Sequence, residues 1–160
     1  AQCLVGSEMC IRDSYYTGTQ CIISRKDNPI KDFEEMSGKT VAVLEGAQSD
    51  MIASGETTDY GEVKDAKVTG LKNVQDIMNA LSANQYDAAI VDLGVAKNYV
   101  KSDEFKMLDE SLMDEQNYII AKKGNTDMIE KMNTCIKKFL ASDDYAKLCK
   151  KYDLSPLETK

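Results

Sequence analysis

The chain of 160 residues contains no histidine. That absence removes Ser-His-Asp and Cys-His activation of a nucleophile, together with the commonest transition-metal ligand, so most familiar hydrolase mechanisms are excluded. Long apolar runs are missing as well. No stretch reaches the roughly eighteen consecutive apolar residues that span a bilayer, and no basic start followed by an apolar core marks a secretory signal. The five cysteines, Cys3, Cys10, Cys21, Cys135 and Cys149, form no C-x-x-C pair and show no zinc-like spacing, so no metal or other cofactor is expected. Positive charge is in deficit, with 20 Lys and Arg against 27 Asp and Glu, a net charge of −7. A nucleic-acid partner needs Lys and Arg clustered on one face and is not expected here.

What is present is an ordinary globular composition, 42% hydrophobic and 29% charged, in a chain long enough for one real core. Residues 1–14, AQCLVGSEMCIRDS, show neither a strand alternation nor a helical stripe that continues into Tyr15 and beyond. CLVGSEMCIRDS resembles a translated adapter tail from assembled environmental DNA, and the segment is expected to be non-native. From there on, short β and α signals alternate. TQCIIS at 19–24 reads as a strand, residues 32–36 as a short helix stopped by Gly38, and TVAVL at 40–44 as a strand buried on both faces. After Gly46, residues 47–54 have helical spacing with Ala47, Met51 and Ile52 on one side. Residues 67–71 give another strand. Asn73 can cap a helix carrying Val74, Ile77, Met78 and Leu81, and Asn84 can end it in the left-handed conformation.

Residues 88–91 form a further buried strand ending at Asp92, 93–100 a helix, and 105–108 and 116–121 two more strands. Two terminal helices come last. One, capped near Asn125, is expected to bury Met128, Met132, Ile136, Phe139 and Leu140. The other, after Ser142, places Tyr145, Leu148, Cys149 and Tyr152 on one side. Cys135 and Cys149 fall in these helices, as a disulfide or, more simply, as two buried free thiols. Such alternation predicts an α/β fold with a mainly parallel sheet, whose ligands sit at the carboxyl ends of the strands, where Asp92 and the Gly46 turn lie. The acidic pairs Asp103-Glu104 and Asp109-Glu110 read as solvated loop charges, not as acid–base pairs.

Four segments, in this order and spacing, resemble the type II periplasmic-binding fold of the substrate-binding proteins of amino-acid ABC importers, solute-binding family 3: YYTGTQCIISRKD from Tyr15, GKTVAVLEGAQSD from Gly38, QYDAAIVD from Gln85, and MDEQNYIIAKKGN with its two helices. The likeness covers residues 15–154. It implies a hinge strand at 15–19, a ligand-closing lobe at 20–112, a second hinge strand at 113–117, and the C-terminal part of an otherwise missing first lobe at 118–160. The missing part is expected to be N-terminal, and with it the groups that pair with the ligand carboxylate and select its side chain. A fragment of this kind is expected to bind ligand negligibly and to expose the apolar faces of its last two helices.

The same resemblance implies a binding protein and not an enzyme. A polar amino acid is held between two lobes outside the cytoplasmic membrane and delivered to an ABC permease with its ATPase. The protein is expected to be a monomer that meets the membrane only through the permease or a lost lipid anchor. Ligand contacts are implied at Gly46, Ala47 and Gln48, where helix-start amides suit a carboxylate, and at Asp92, whose carboxylate would accept the ligand ammonium. Gln48 stands where the family often has Thr, so the contact carried over is its backbone amide. Each position also has a plainer reading: the first three as a β-α turn, Asp92 as a helix N-cap. A sensor domain of a signalling receptor and a cyclohexadienyl-dehydratase-like enzyme are the alternatives. The enzyme would need a general acid in the cleft.

Overall fold

The computed structural model describes residues 2–3, 9–11, 16–56, 63, 65–108, 111–152, 154 and 156–157. The chain divides into two compact units, one made of Ala1–Gly18 with Glu115–Lys160, the other of Thr19–Asp114.

In the second unit the strands are β3 (Tyr16–Arg25, entering from the first unit), β4 (Thr40–Leu44), β5 (Lys67–Leu71), β6 (Ala88–Asp92) and β7 (Phe105–Met107), after β1 (Gln2–Cys3) and β2 (Met9–Ile11) of the first unit. They lie in the order β5-β4-β6-β3-β7, and β8 (Met113–Asn117) also pairs with β3. β4 runs parallel to β5 and β6, as the alternation of strands and helices predicts, but β3 is antiparallel to β6 and β7. The mainly parallel sheet that the alternation predicts is there in β5, β4 and β6, and β3 joins it antiparallel. Between β3 and β4 the chain holds only the 3-10 turn Glu34–Met36 and no crossover α-helix, so nothing obliges β3 to run with β4 and β6.

Alternate residues of the central strands feed two cores on opposite faces of the sheet. Ile22, Val41, Val43, Ala88 and Ile90 pack with Phe33, Met36, Ile52 and Leu112. Cys21, Ile23, Ala42, Ala89 and Val91 pack with Ile77, Met78, Leu81, Ala96 and Phe105. Of the second set, Ile77, Met78 and Leu81 come from α2 (Val74–Ser82), Ala96 from α3 (Leu93–Tyr99) and Phe105 from β7, and the first includes Ile52 of α1 (Gln48–Ala53). α2 is bounded as its residues dictate. The Asn73 side chain accepts the Asp76 amide, and Asn84 has φ 57° just past the end, with the Gln85 amide closing on Ala80. Two details differ from expectation. Residues 32–36 make only a 3-10 turn at Glu34–Met36, and Met51 is exposed, because α1 turns Ser49, Ile52 and Ala53 inward instead.

Asp87 ties the amino ends of β4 and β6 together. Its carboxylate accepts the Thr40 amide at 2.8 Å and the Thr40 hydroxyl at 2.7 Å. Partial burial works against the charged form, but these two bonds and nearby Lys39 outweigh it and hold the carboxyl below its ordinary pKa. A depressed acid stabilises the fold above its unfolded pKa, and that contribution is lost as pH falls through the folded value. Asp87→Asn is therefore expected to cost about 1–2 kcal/mol at neutral pH, discounted for solvent screening, and to flatten the loss of stability on acidification. Urea midpoints measured at neutral and acidic pH check both effects.

In the first unit, β1, β2 and β9 (Ile120–Lys122) form an antiparallel sheet in that order. Residues 1–14 thus contribute two short strands that the sequence pattern does not show, because two or three residues are too few for an alternation to register. The single strand expected at 116–121 is broken into β8 and β9. α4 (Thr126–Leu140) and α5 (Asp143–Tyr152) form as predicted, and their apolar stripes are largely exposed, as expected of a fragment, instead of buried as the periodicity alone would have them. Ile129 and Cys149 are buried, whereas Met128, Phe139, Leu148 and Tyr152 are exposed. Cys135 is exposed and both thiols are free, so the buried pair expected there is half right.

Candidate functional site

The carboxyl ends of the neighbouring parallel strands β4 and β6 bring together the residues that the sequence singles out. β4 and β6 are registered Val41 to Ala88 and Ala42 to Ala89, and the same offset puts Glu45 level with Asp92. The turn after β4 is held by its own bonds. Gly46 has φ 69°, a left-handed value that any side chain would strain, and this turns the backbone into α1. The Glu45 amide donates to the Leu71 carbonyl (2.9 Å), the Ala47 amide to the Leu44 carbonyl (3.1 Å) and the Leu44 amide to the buried Ser49 hydroxyl (3.1 Å). The Gly46 amide donates to the Asp50 carboxylate at 3.0 Å. Two of the three amides expected to meet a ligand, those of Gly46 and Ala47, thus have acceptors inside the chain. Gln48 opens α1 and is half-buried.

Asp92 ends β6 and is exposed. It occupies the N-cap position of α3 but accepts no bond from that helix through its side chain. Its Oδ1 instead accepts from Gln20 Nε2 at 2.5 Å, the two residues lying opposite each other in the antiparallel β3–β6 register. Gln20 is only 4% exposed. Motif and periodicity do not single it out. The available signal is a long amide at the start of an otherwise apolar strand, where burial demands a hydrogen-bond partner.

Next along β3, the buried Cys21 thiol is pushed up to about 12, by desolvation first and by the negative charge of Asp92 second, which makes it inert as a nucleophile at neutral pH. Asp103 pairs with Lys26 and Glu104 accepts from Ser82, which fits solvated surface charges, while Asp109 and Glu110 lie outside the described residues, as does Tyr15. Among the described residues no cluster of three or more Cys, Asp or Glu side chains is placed to hold a metal, and no helix is long and apolar enough to cross a membrane.

The similarity to solved structures shows the type II periplasmic-binding fold. The profile of the NMT1/THI5 like family matches residues 9–144, and the chain belongs to that family. It is 27% identical over 143 residues to the arginine-binding extracellular protein ArtP of Bacillus subtilis, covering 88% of this chain and 54% of the relative. A solved substrate-binding protein of an amino-acid ABC transporter is 30% identical with a TM-score of 0.74, over 90% of this chain and 63% of that one. The ancestral amino-acid-binding protein AncCDT-1, a precursor of cyclohexadienyl dehydratase, is 26% identical with a TM-score of 0.77, over 91% and 62%. The chain spans about half the length of the curated relatives it matches.

Proposed function

We propose that this chain carries the ammonium-anchoring lobe of an extracytoplasmic amino-acid-binding protein that serves an ABC importer. The observation that carries the reading is the seat of Asp92. An Asp at a helix start would ordinarily bond the helix amides, yet this one is exposed at the sheet's carboxyl edge and fastened by Gln20, with its charge uncommitted to α3. A carboxylate so placed can accept a ligand ammonium through charge-assisted bonds. Gly46, Ala47 and Gln48 lie at the end of the neighbouring strand, where the resemblance puts the contacts to a ligand carboxylate. The names of the relatives support amino acids as the ligand class and a setting outside the cytoplasm.

In this reading the residues near 15–19 and 113–117 are hinge strands. The boundary between the two units, at Gly18/Thr19 and Asp114/Glu115, supports those positions. The lobe at 20–112 then contributes Asp92, and residues 118–160 belong to a lobe completed elsewhere in the whole protein. Delivery is to a permease and its ATPase, the binding protein acts as a monomer, and a lipid anchor would be its tie to the membrane. It acts as a binding protein and performs no chemistry, a reading supported by relatives named as binding proteins.

The test is a backbone-amide NMR titration of the 160-residue chain with L-arginine, L-glutamine and L-histidine. Without a complete partner lobe, binding is expected to be negligible below millimolar ligand, and at tens of millimolar shifts are expected only at Gly46–Gln48 and the Gln20–Asp92 pair. Shifts scattered over the surface, or none there at tens of millimolar ligand, would sink the reading.

A further inference from the structure

We infer that Gln20 is the positioning residue for Asp92, and that its buried amide sets the direction in which the carboxylate meets a ligand ammonium. This rests on Asp92 being the ammonium anchor. Gln20 is 4% exposed, so its Nε2 donors must find a partner or bear the full cost of desolvation. The β3–β6 register sets Asp92 directly opposite, and the bond formed is 2.5 Å long. A carboxylate acceptor makes it one of the stronger kinds of hydrogen bond.

Asp92 has a second attractive seat. As the N-cap residue of α3 it could turn onto the first amides of that helix, which want an acceptor. It does not. Gln20 engages Oδ1 and leaves Oδ2 outside that bond, so one oxygen fixes the group while the other stays available to a cation. Without the amide, the carboxylate is released to the helix start, and the anion turns away from the sheet's edge. Gln20 thus chooses between two orientations of one charge without touching the ligand.

The experiment compares L-glutamine with Nα-acetyl-L-glutamine, which keeps the side chain and carboxylate but has no ammonium. The free amino acid has an uncharged side chain, so its α-ammonium is the only cation in play. The unaltered 160-residue chain is expected to prefer L-glutamine at least about tenfold in the NMR titration, and Gln20→Met or Gln20→Leu to reduce that preference to about twofold with little change for the acetylated compound. A folded variant that keeps the tenfold preference overturns the role, as does equal weakening toward both compounds, which marks a merely structural residue. No preference in the unaltered chain brings down the ammonium reading of Asp92, and this proposal with it. A further measurement needs no Gln20 variant: a Gln20 Nε2 proton should exchange slowly with solvent and be released by Asp92→Ala, and an amide indifferent to that change also overturns the proposal.

Discussion

Asp92→Asn is expected to weaken the local amino-acid response by about 10- to 100-fold while leaving the fold intact. Asparagine keeps the shape and an oxygen where Gln20 Nε2 now donates, so the pairing of β3 and β6 across Gln20 and Asp92 has no reason to change. What goes is the negative charge, and a charge-assisted bond to an ammonium is worth about 1.5–3 kcal/mol, which converts to that range of affinity. The same titration with L-glutamine measures it, with calorimetry as the check in any longer form of the protein. Equal affinity for the two chains would show that Asp92 anchors nothing and that the site lies elsewhere.

The largest loss of stability is expected from Ile90→Ala, at about 3 kcal/mol. Ile90 sits in the middle of β6, between β4 and β3, opposite Ile22 and fully buried in the core that includes Val41, Val43 and Ile52. Truncation removes its transfer free energy and leaves a cavity that a strand fixed on both sides cannot collapse to fill. Urea unfolding should show a lower midpoint at unchanged slope. A cost under about 1 kcal/mol would mean that this core repacks freely.

Much of the second unit was legible in the sequence because its signals are local. TVAVL and AAIVD are short, β-branched or small, and bounded by turn residues, and they form β4 and β6 at the expected positions. Asn73 and Asn84 mark the ends of α2 through side-chain and backbone chemistry that needs no tertiary knowledge. The direction of β3 was not legible, since nothing in TQCIIS says which neighbour it will meet. The first unit was the least legible. The periodicity of α4 gives a correct helix but not its burial, because a stripe states which residues could be covered; the exposure follows from the missing lobe that the resemblance implies.

The site shows the same division. Asp92 and Gly46 stand out as residue types at strand ends, whereas Gln20 becomes meaningful only once register places it 72 positions away from its partner in sequence and opposite it in space. The bond from the Gly46 amide to Asp50 likewise depends on how α1 starts.

The boundary between the two units also fixes an order of events during synthesis. Thr19–Asp114 is one unbroken stretch, while the other unit is assembled from segments on either side of it. A ribosome therefore finishes the Asp92 lobe before Glu115 is made, and that lobe can fold on emergence, whereas β2 meets its partner β9 only once Ile120–Lys122 have been made.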